Sequence, residues 1–495
     1  MRKILVLFLI LTLLFSCNAG AIYFFEPVAL EGRGEGAVSL PEAEDVMMPS
    51  ASGKTFEETI LEGWASFSEK IDVSEFEIKE EDLAKTYGNV FYNNPMYYYI
   101  GREYYYYWNQ YDGKTKYIES IIPTYTTTDP EEIAAMHKGI EDEADNILLY
   151  IENDMTDFEK VMTVHDYMVI HYEYDWSYEN HTISIMVTKT GVCESYTFAF
   201  MYIMDLLGIE ARYVSSDAMN HAWNLVKVDG KWYHIDLTWD DSGRADQTGH
   251  TFQLLSDKKI QSLEEPHYGY DTDGIEADSE LYDDAPWHEN HSQVVAVKGT
   301  DYWVDGSKLV SSKGDVVCPA LDGGDGKWSI GDGYIFKESI YTGLAVFGGK
   351  LYYNTDKGIF SYNPKTKKSV QILEIDGVCG IHIDGNILKY GKYDREAIKI
   401  VNGVEQKGDF REAGTVKLSG ARITVPFIKN GKAIAKIYND GTENINIISF
   451  GKNGTGKVRA EEGVTSVEID TDDFEYIYFM DDKLTPLHDK VDISE

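Results

Sequence analysis

The sequence predicts an α+β protein in three folded parts, and three observations predict it. Apolar residues recur at helical spacing through 133–151 and 158–169, and an apolar run from 193 to 207 follows. Short strands with an Asp-Gly turn follow between 211 and 239. From about Gln293 the helical periodicity disappears, and strand-length runs alternate with turn signals to the end. The expected division is a leader at 1–21, a linker at 22–54, a small α+β segment at 55–128, a helix-and-hairpin core domain at 129–285, and a β-rich repeat module at 286–495.

The chain opens MRKILVLFLILTLLFSCNAGA, with Arg2-Lys3, an apolar run from Ile4 to Phe15, and small residues after it. That pattern is a secretory signal, too short for a comfortable membrane span. Three processing routes stay open. Leu14-Phe15-Ser16-Cys17 resembles a lipoprotein signal with Cys17 lipidated, although Phe15 is bulky for that position; this route is preferred. Ala19-Gly20-Ala21 is a cleavage site of the A-x-A kind, and an uncleaved anchor could run on through Phe25. Each route places the rest of the chain outside the cytoplasm and lets it touch a membrane only through this N-terminal anchor. The stretch that follows is rich in Gly, Ser, Pro and Glu and is expected to be a flexible tether.

A net charge of −39 argues against a nucleic-acid partner, whose phosphates would be repelled. It favours cationic partners such as lysine-bearing peptides or cell-wall amines, and it also serves solubility alone. Only 4 cysteines occur, so the chain is not disulfide-stapled. Cys318 and Cys379 are either one disulfide or two buried thiols. No zinc-ligand spacing, HExxH or phosphate-binding loop is present, so no metal and no cofactor are expected. Nothing in the sequence indicates an oligomeric state.

In the first folded part, Phe56–Ser68 reads as a helix. FYNNPMYYYIGREYYYYWNQY, residues 91–111, and the KTKYIESIIPTY that follows read as two or three strands punctuated by Asn94-Pro95 and Asp112-Gly113. Their tyrosines either stack on sugars or pack one face inward. Asp129 caps the next helix, with Pro130 in its first turn and Glu132 closing a capping box. Ile133, Met136, Ile140, Ala144, Ile147 and Ile151 make its apolar stripe. A further helix starts at Thr156 with Glu159 as its box partner. His165 falls on that helix's apolar stripe and reads as a satisfied core histidine.

The chemistry concentrates in Thr190–Asp241. Cys193 opens an apolar helix that Gly208 closes. Ala211–Ser215, Ala222–Val228 and Lys231–Trp239 read as strands, the last two joined by Asp229-Gly230. That turn sets Val228 opposite Lys231 and Trp223 opposite Asp236. His221 then lies one diagonal step from both Asp236 and Asp240, with His234 on the same face. Asp236 is preferred as the partner because it sits between Ile235 and Leu237 within the strand. A thiol at a helix start is activated by the helix dipole and by a protonated imidazole. The imidazole serves as base and then acid, and the carboxylate fixes its tautomer. Cys193, His221 and Asp236 can fill those roles, and the Cys193 backbone N–H is a natural oxyanion donor.

GVCESY, NHAWN and WYHIDLTWDD, in that order, resemble the core of the transglutaminase-like superfamily over roughly Asp157–Asp241. The resemblance implies a papain-like Cys-His-Asp triad at Cys193, His221 and Asp236. It also implies an upstream aromatic or amide side chain completing the oxyanion hole, for which Trp176 is a candidate. The family holds cross-linking enzymes, peptidases, amidases and inactive members. His250 and His267, in the segment after the motifs, have no assigned partner and read as structural or surface residues.

In the last part, turns at Asp305-Gly306, Asp384-Gly385, Asn430-Gly431 and Asp440-Gly441 mark hairpins. The blocks return about every forty residues, the spacing of propeller blades, with a sandwich left open. The expected function is cysteine-dependent acyl transfer on peptide or protein amide bonds, as hydrolysis or transamidation. The rival is a non-enzymatic surface-binding protein with a relic triad.

Overall fold

The computed structural model describes residues 27–29 and 53–493, apart from 111–113, 152–154, 178, 242–247, 289–291, 322–327, 332–333, 338–341, 356, 393–398, 402–403, 407–411, 420, 424–426, 430–431, 440–444, 452–453, 461 and 487–490. The leader lies outside the described residues, as does most of the expected tether. Within the tether, Pro27–Ala29 (β1) pairs in parallel with the strand at Ile100–Asn109, so that short piece is sheet rather than free linker. Among the described residues no helix is long and apolar enough to cross a membrane.

Helix α1, Phe56–Ala65, is set by a capping box between Thr55 and Glu58. It stops short of the predicted Ser68. Strand β2 is Ile71–Asp72, and helix α2 is Glu80–Asn93. Helix α2 corrects the reading of Phe91 onward as strand. Leu83, Tyr87 and Val90 form its buried stripe, and Glu80, Glu81 and Asp82 suit its N-terminal turn. Pro95 then starts a single 3-10 turn, and strand begins only at Ile100. Strands β3 (Ile100–Asn109) and β4 (Tyr117–Tyr125) complete a sheet of order β1-β3-β4-β2. Tyr104 and Tyr106 point into its core while Tyr105 and Tyr107 stay half-buried, the period of two expected of a strand with one buried face.

Helix α3, Pro130–Leu148, is capped by Asp129, whose side chain accepts from the Glu131 N–H. Glu132 does not close the box; its carboxylate takes the Thr127 hydroxyl instead. Helix α4, Asp157–His171, does carry the predicted box between Thr156 and Glu159. Two short parallel strands, β5 (Glu173–Tyr174) and β6 (Thr190–Gly191), flank helix α5 (Ile185–Thr188). Helix α6, Cys193–Leu206, is buried along nearly its whole length. Gly208, at φ +69°, ends the run after it.

Against α6 lies an antiparallel sheet of β7 (Ala211–Ser216), β8 (His221–Val228), β9 (Lys231–Ile235) and β10 (Gln253–Leu255). Asp229 and Gly230 both have positive φ, 49° and 77°, which suits a two-residue turn matched to strand twist. Val228 accordingly pairs with Lys231 and Asn224 with Ile235. The predicted strand to Trp239 is too long. Asp236 leaves the strand and caps a short helix α7, Leu237–Asp240, by accepting the Thr238 and Trp239 N–H groups. Apolar side chains of α3, α4, α6, β8 and β9 share one core, with Phe200, Met168, Ile147, Val226 and Ile235 at its centre.

The last part is a series of separate small antiparallel sheets. Four strands span 295–318, four span 344–374, and three lie within 378–417. Further sheets occupy 421–470 and 445–492. The Asp305 and Asp384 turns close hairpins as expected. The other two Asn/Asp-Gly turns lie outside the described residues. Cys318 is a thiol that donates to the Ala320 carbonyl, and the Cys379 side chain is outside the described set. The β part joins the core domain directly: the Val294 N–H donates to Asp166 Oδ2 at 3.0 Å, and the Tyr150 hydroxyl donates to the Ile383 carbonyl.

Candidate active site

Three elements meet at the site. Cys193 is the first residue of α6, His221 the first of β8, and Asp236 the cap between β9 and α7. The start of α6 is fixed from outside. The Val192 N–H and the Ser195 hydroxyl both bond the Asn180 carbonyl, at 3.0 and 2.7 Å. Gly191 is required there, since a Cβ would lie 2.6 Å from that of Ser195.

His221 Nε2 donates to Asp236 Oδ2 at 2.6 Å. That leaves Nδ1 for the Cys193 sulfur, which is close enough to raise the ring's proton affinity. Burial is the largest single influence on this ring and works against its charge. The Asp236 charge and hydrogen bond, with the contact to Cys193, outweigh it and push His221 up to about 10. Burial likewise opposes ionisation of Asp236. The charge of His221 and the ring N–H groups on its oxygen overcome that and hold the carboxyl well below its usual range. Trp223 and Trp239 stack on the His221 ring at 5.6 and 5.0 Å. The sequence left Asp240 and His234 open as partners, and the structure sends both elsewhere. Asp240 meets His165 Nε2 at 3.2 Å. His234 accepts from Trp223 Nε1 and donates to Asp257.

The site is closed in this structure, with Cys193 4% and His221 5% exposed. Tyr213 packs on Cys193 and Ala222, and Tyr92 of α2 stacks on Tyr213 at 4.3 Å. Trp176 lies at the surface, edge-on to Tyr174.

Several functional neighbours were not legible beforehand. Glu194 is fully buried beside the cysteine. Arg102 of β3 pairs with it, Tyr213 donates to it at 3.4 Å, and His181 Nδ1 lies 3.4 Å away. A lone carboxylate in so apolar a helix was the available signal, because buried charge demands a partner. Arg102→Leu is expected to cost about 3–5 kcal/mol in denaturant unfolding, the penalty for stranding a buried charge. A loss under about 1 kcal/mol would mean that His181 and Tyr213 suffice.

Of the two readings open for His250 and His267, surface is excluded: both are fully buried, and each has a carboxylate partner that the sequence did not assign. His165 is a satisfied core histidine. Burial opposes its charge, but hydrogen bonds to Asp166 and Asp240 push it up to about 9. Among the described residues, donors converge closely enough for a metal at His165–Asp166–His250 and at His221–Asp236–His267. In both clusters ring nitrogens stand at hydrogen-bond distance from one shared carboxylate oxygen, so protons bridge the positions a metal would bridge.

The family model for the transglutaminase-like superfamily matches residues 145–237. Among solved structures, one described as the crystal structure of a TGase aligns with TM-score 0.19 and 14% identity, covering 28% of this chain and 50% of that one. The chain thus spans half the length of that structure. BamB from Moraxella catarrhalis aligns with TM-score 0.14 and 11% identity, over 43% of this chain and 66% of its own. No curated protein matches the chain significantly. The matched residues 145–237 hold Cys193, His221 and Asp236, so it is this stretch that is similar to the transglutaminase-like superfamily.

Proposed function

We propose that the protein is an extracytoplasmic cysteine acyltransferase acting on peptide or protein amide bonds through a thioester at Cys193. The observation that carries this is a buried cysteine at the first position of a helix, beside a His221 ring that is bonded to Asp236 at 2.6 Å and responds to the cysteine's charge. The Cys193 thiol passes its proton to His221 as the sulfur attacks the amide carbonyl, and the helix-start N–H groups face the oxyanion that develops. His221 protonates the departing amine as the C–N bond breaks, leaving the thioester. An acceptor then attacks the thioester and gives its proton to His221, which restores the thiol. Water as acceptor releases a carboxylic acid; a lysine amine forms a new amide. Hydrolysis is the default, because transamidation requires water to be kept from the thioester.

The acidic surface suits lysine-bearing peptides or cell-wall amines, and the leader suits secretion or lipid anchoring. The decisive experiment incubates the purified chain with a glutamine-containing peptide and a labelled primary amine, and reads masses. An acyl adduct on Cys193, absent in Cys193→Ser, is expected. Free acid as product supports hydrolysis, and amine incorporation supports cross-linking. No adduct with any amide probe would leave the surface-binding alternative standing.

A further inference from the structure

We propose that His267 is a positioning residue of this site, a second imidazole that pins the Asp236 carboxylate while His221 uses it. The assignment rests on the acyl-transfer reading above. Asp236 Oδ2 takes a ring N–H from His221 at 2.6 Å and another from His267 Nε2 at 2.9 Å. Oδ1 takes the Thr238 and Trp239 N–H groups at 3.0 and 3.2 Å. An ionised carboxylate only accepts, so His267 must present its proton at Nε2. Two bonds on each oxygen leave the group no freedom to swing.

The His267 ring is itself tightly held. Trp239 lies 4.3 Å away, Trp223 4.6 Å edge-on and Phe252 5.3 Å. The same two indoles stack on His221, so one aromatic cage orients both imidazoles. The other nitrogen, Nδ1, is buried and makes no hydrogen bond among the described residues. A residue kept only for packing would be better as phenylalanine, which has no polar atom to strand. The bond to Asp236 is what a histidine adds here. The titratable groups facing this pair are Cys193 on the His221 side and His234 on the His267 side.

Without His267, Oδ2 keeps only the His221 bond and can move with it, so the imidazole loses its fixed aim at the sulfur. Asp236 keeps its charge and has one donor fewer to share, so His221 does not lose its proton more easily. The signature of positioning is therefore a slower sulfur with no acid shift in the ring titration. A damaged site would show both.

The test measures carboxamidomethylation of Cys193 by iodoacetamide at neutral pH, by peptide mass, in the full chain. The His221 titration midpoint is read in parallel by NMR of ring-labelled histidine. His267→Phe keeps the ring and is expected to react about tenfold more slowly, whereas His267→Gln, whose amide reaches as far as Nε2, stays within about threefold of wild type. The midpoint should not fall in either variant. A wild-type rate in His267→Phe, or an equal loss in His267→Gln, overturns the assignment. Should His267→Phe fail to fold, His267→Asn replaces it: its amide is too short to reach Oδ2 and should react as slowly. A wild-type rate no faster than that of His221→Ala defeats the acyl-transfer reading and this one with it. A fast wild type, a slow His221→Ala and a fast His267→Phe defeat only this one.

Discussion

His221→Ala is expected to slow acylation of Cys193 by about 10²–10⁴-fold, the range spanned by a positioned acid–base group. The ring is bonded to the Asp236 carboxylate and lies near enough to the sulfur for each charge to act on the other, so its loss removes the proton acceptor and the local positive charge together. The rate of adduct formation with an amide probe, followed by intact mass, measures it. Retention of more than about a tenth of the wild-type rate would show that the sulfur does not depend on this imidazole. His221→Ala also takes a charged partner from the buried Asp236, so urea unfolding of the variant, run beside the rate, separates fold loss from the lost acid–base group.

Asp236→Asn is expected to cost about 3–5 kcal/mol of stability, since it leaves a buried imidazolium unpaired while keeping the shape of the capping side chain. The cost should depend on pH in a defined way. The folded value of His221 is raised, so its contribution is complete below the unfolded value near 6.5 and is lost as pH rises through about 10. The folded value of Asp236 is lowered, so its contribution is complete above 3.8 and is lost as pH falls through that lower value. The gap between wild type and variant should therefore be widest between about pH 4 and 6.5 and close toward about pH 10. Urea unfolding at several pH values measures it. A gap that widens toward alkaline pH would mean that the pair is not held as ions.

The spatial arrangement was legible where local chemistry dictates it. Asp229-Gly230 admits one turn type, and the register that follows brings His221 and Asp236 together by arithmetic. The start of α6 was legible from an uninterrupted apolar run after Gly191. What escaped was set by tertiary contact. Asp236 was placed inside a strand, but its side chain competes for backbone N–H groups and turns the chain into α7. Helix α2 was hidden by Gly88 and by aromatic residues that also suit strands. His267 reaches Asp236 from a segment with neither helical nor strand periodicity, so no pattern announces it. Arg102 and Glu194 lie 92 positions apart, and only the docking of the first sheet on α6 joins them.

Asp166 has a role beyond charge balance. One oxygen gathers His165 and His250, and the other takes a backbone N–H from the first residues of the β-rich part. Opening that joint would take one N–H from a buried carboxylate and leave its Oδ2 without that bond. The first residues of the β-rich part are therefore located on the core domain as a dowel locates one board on another.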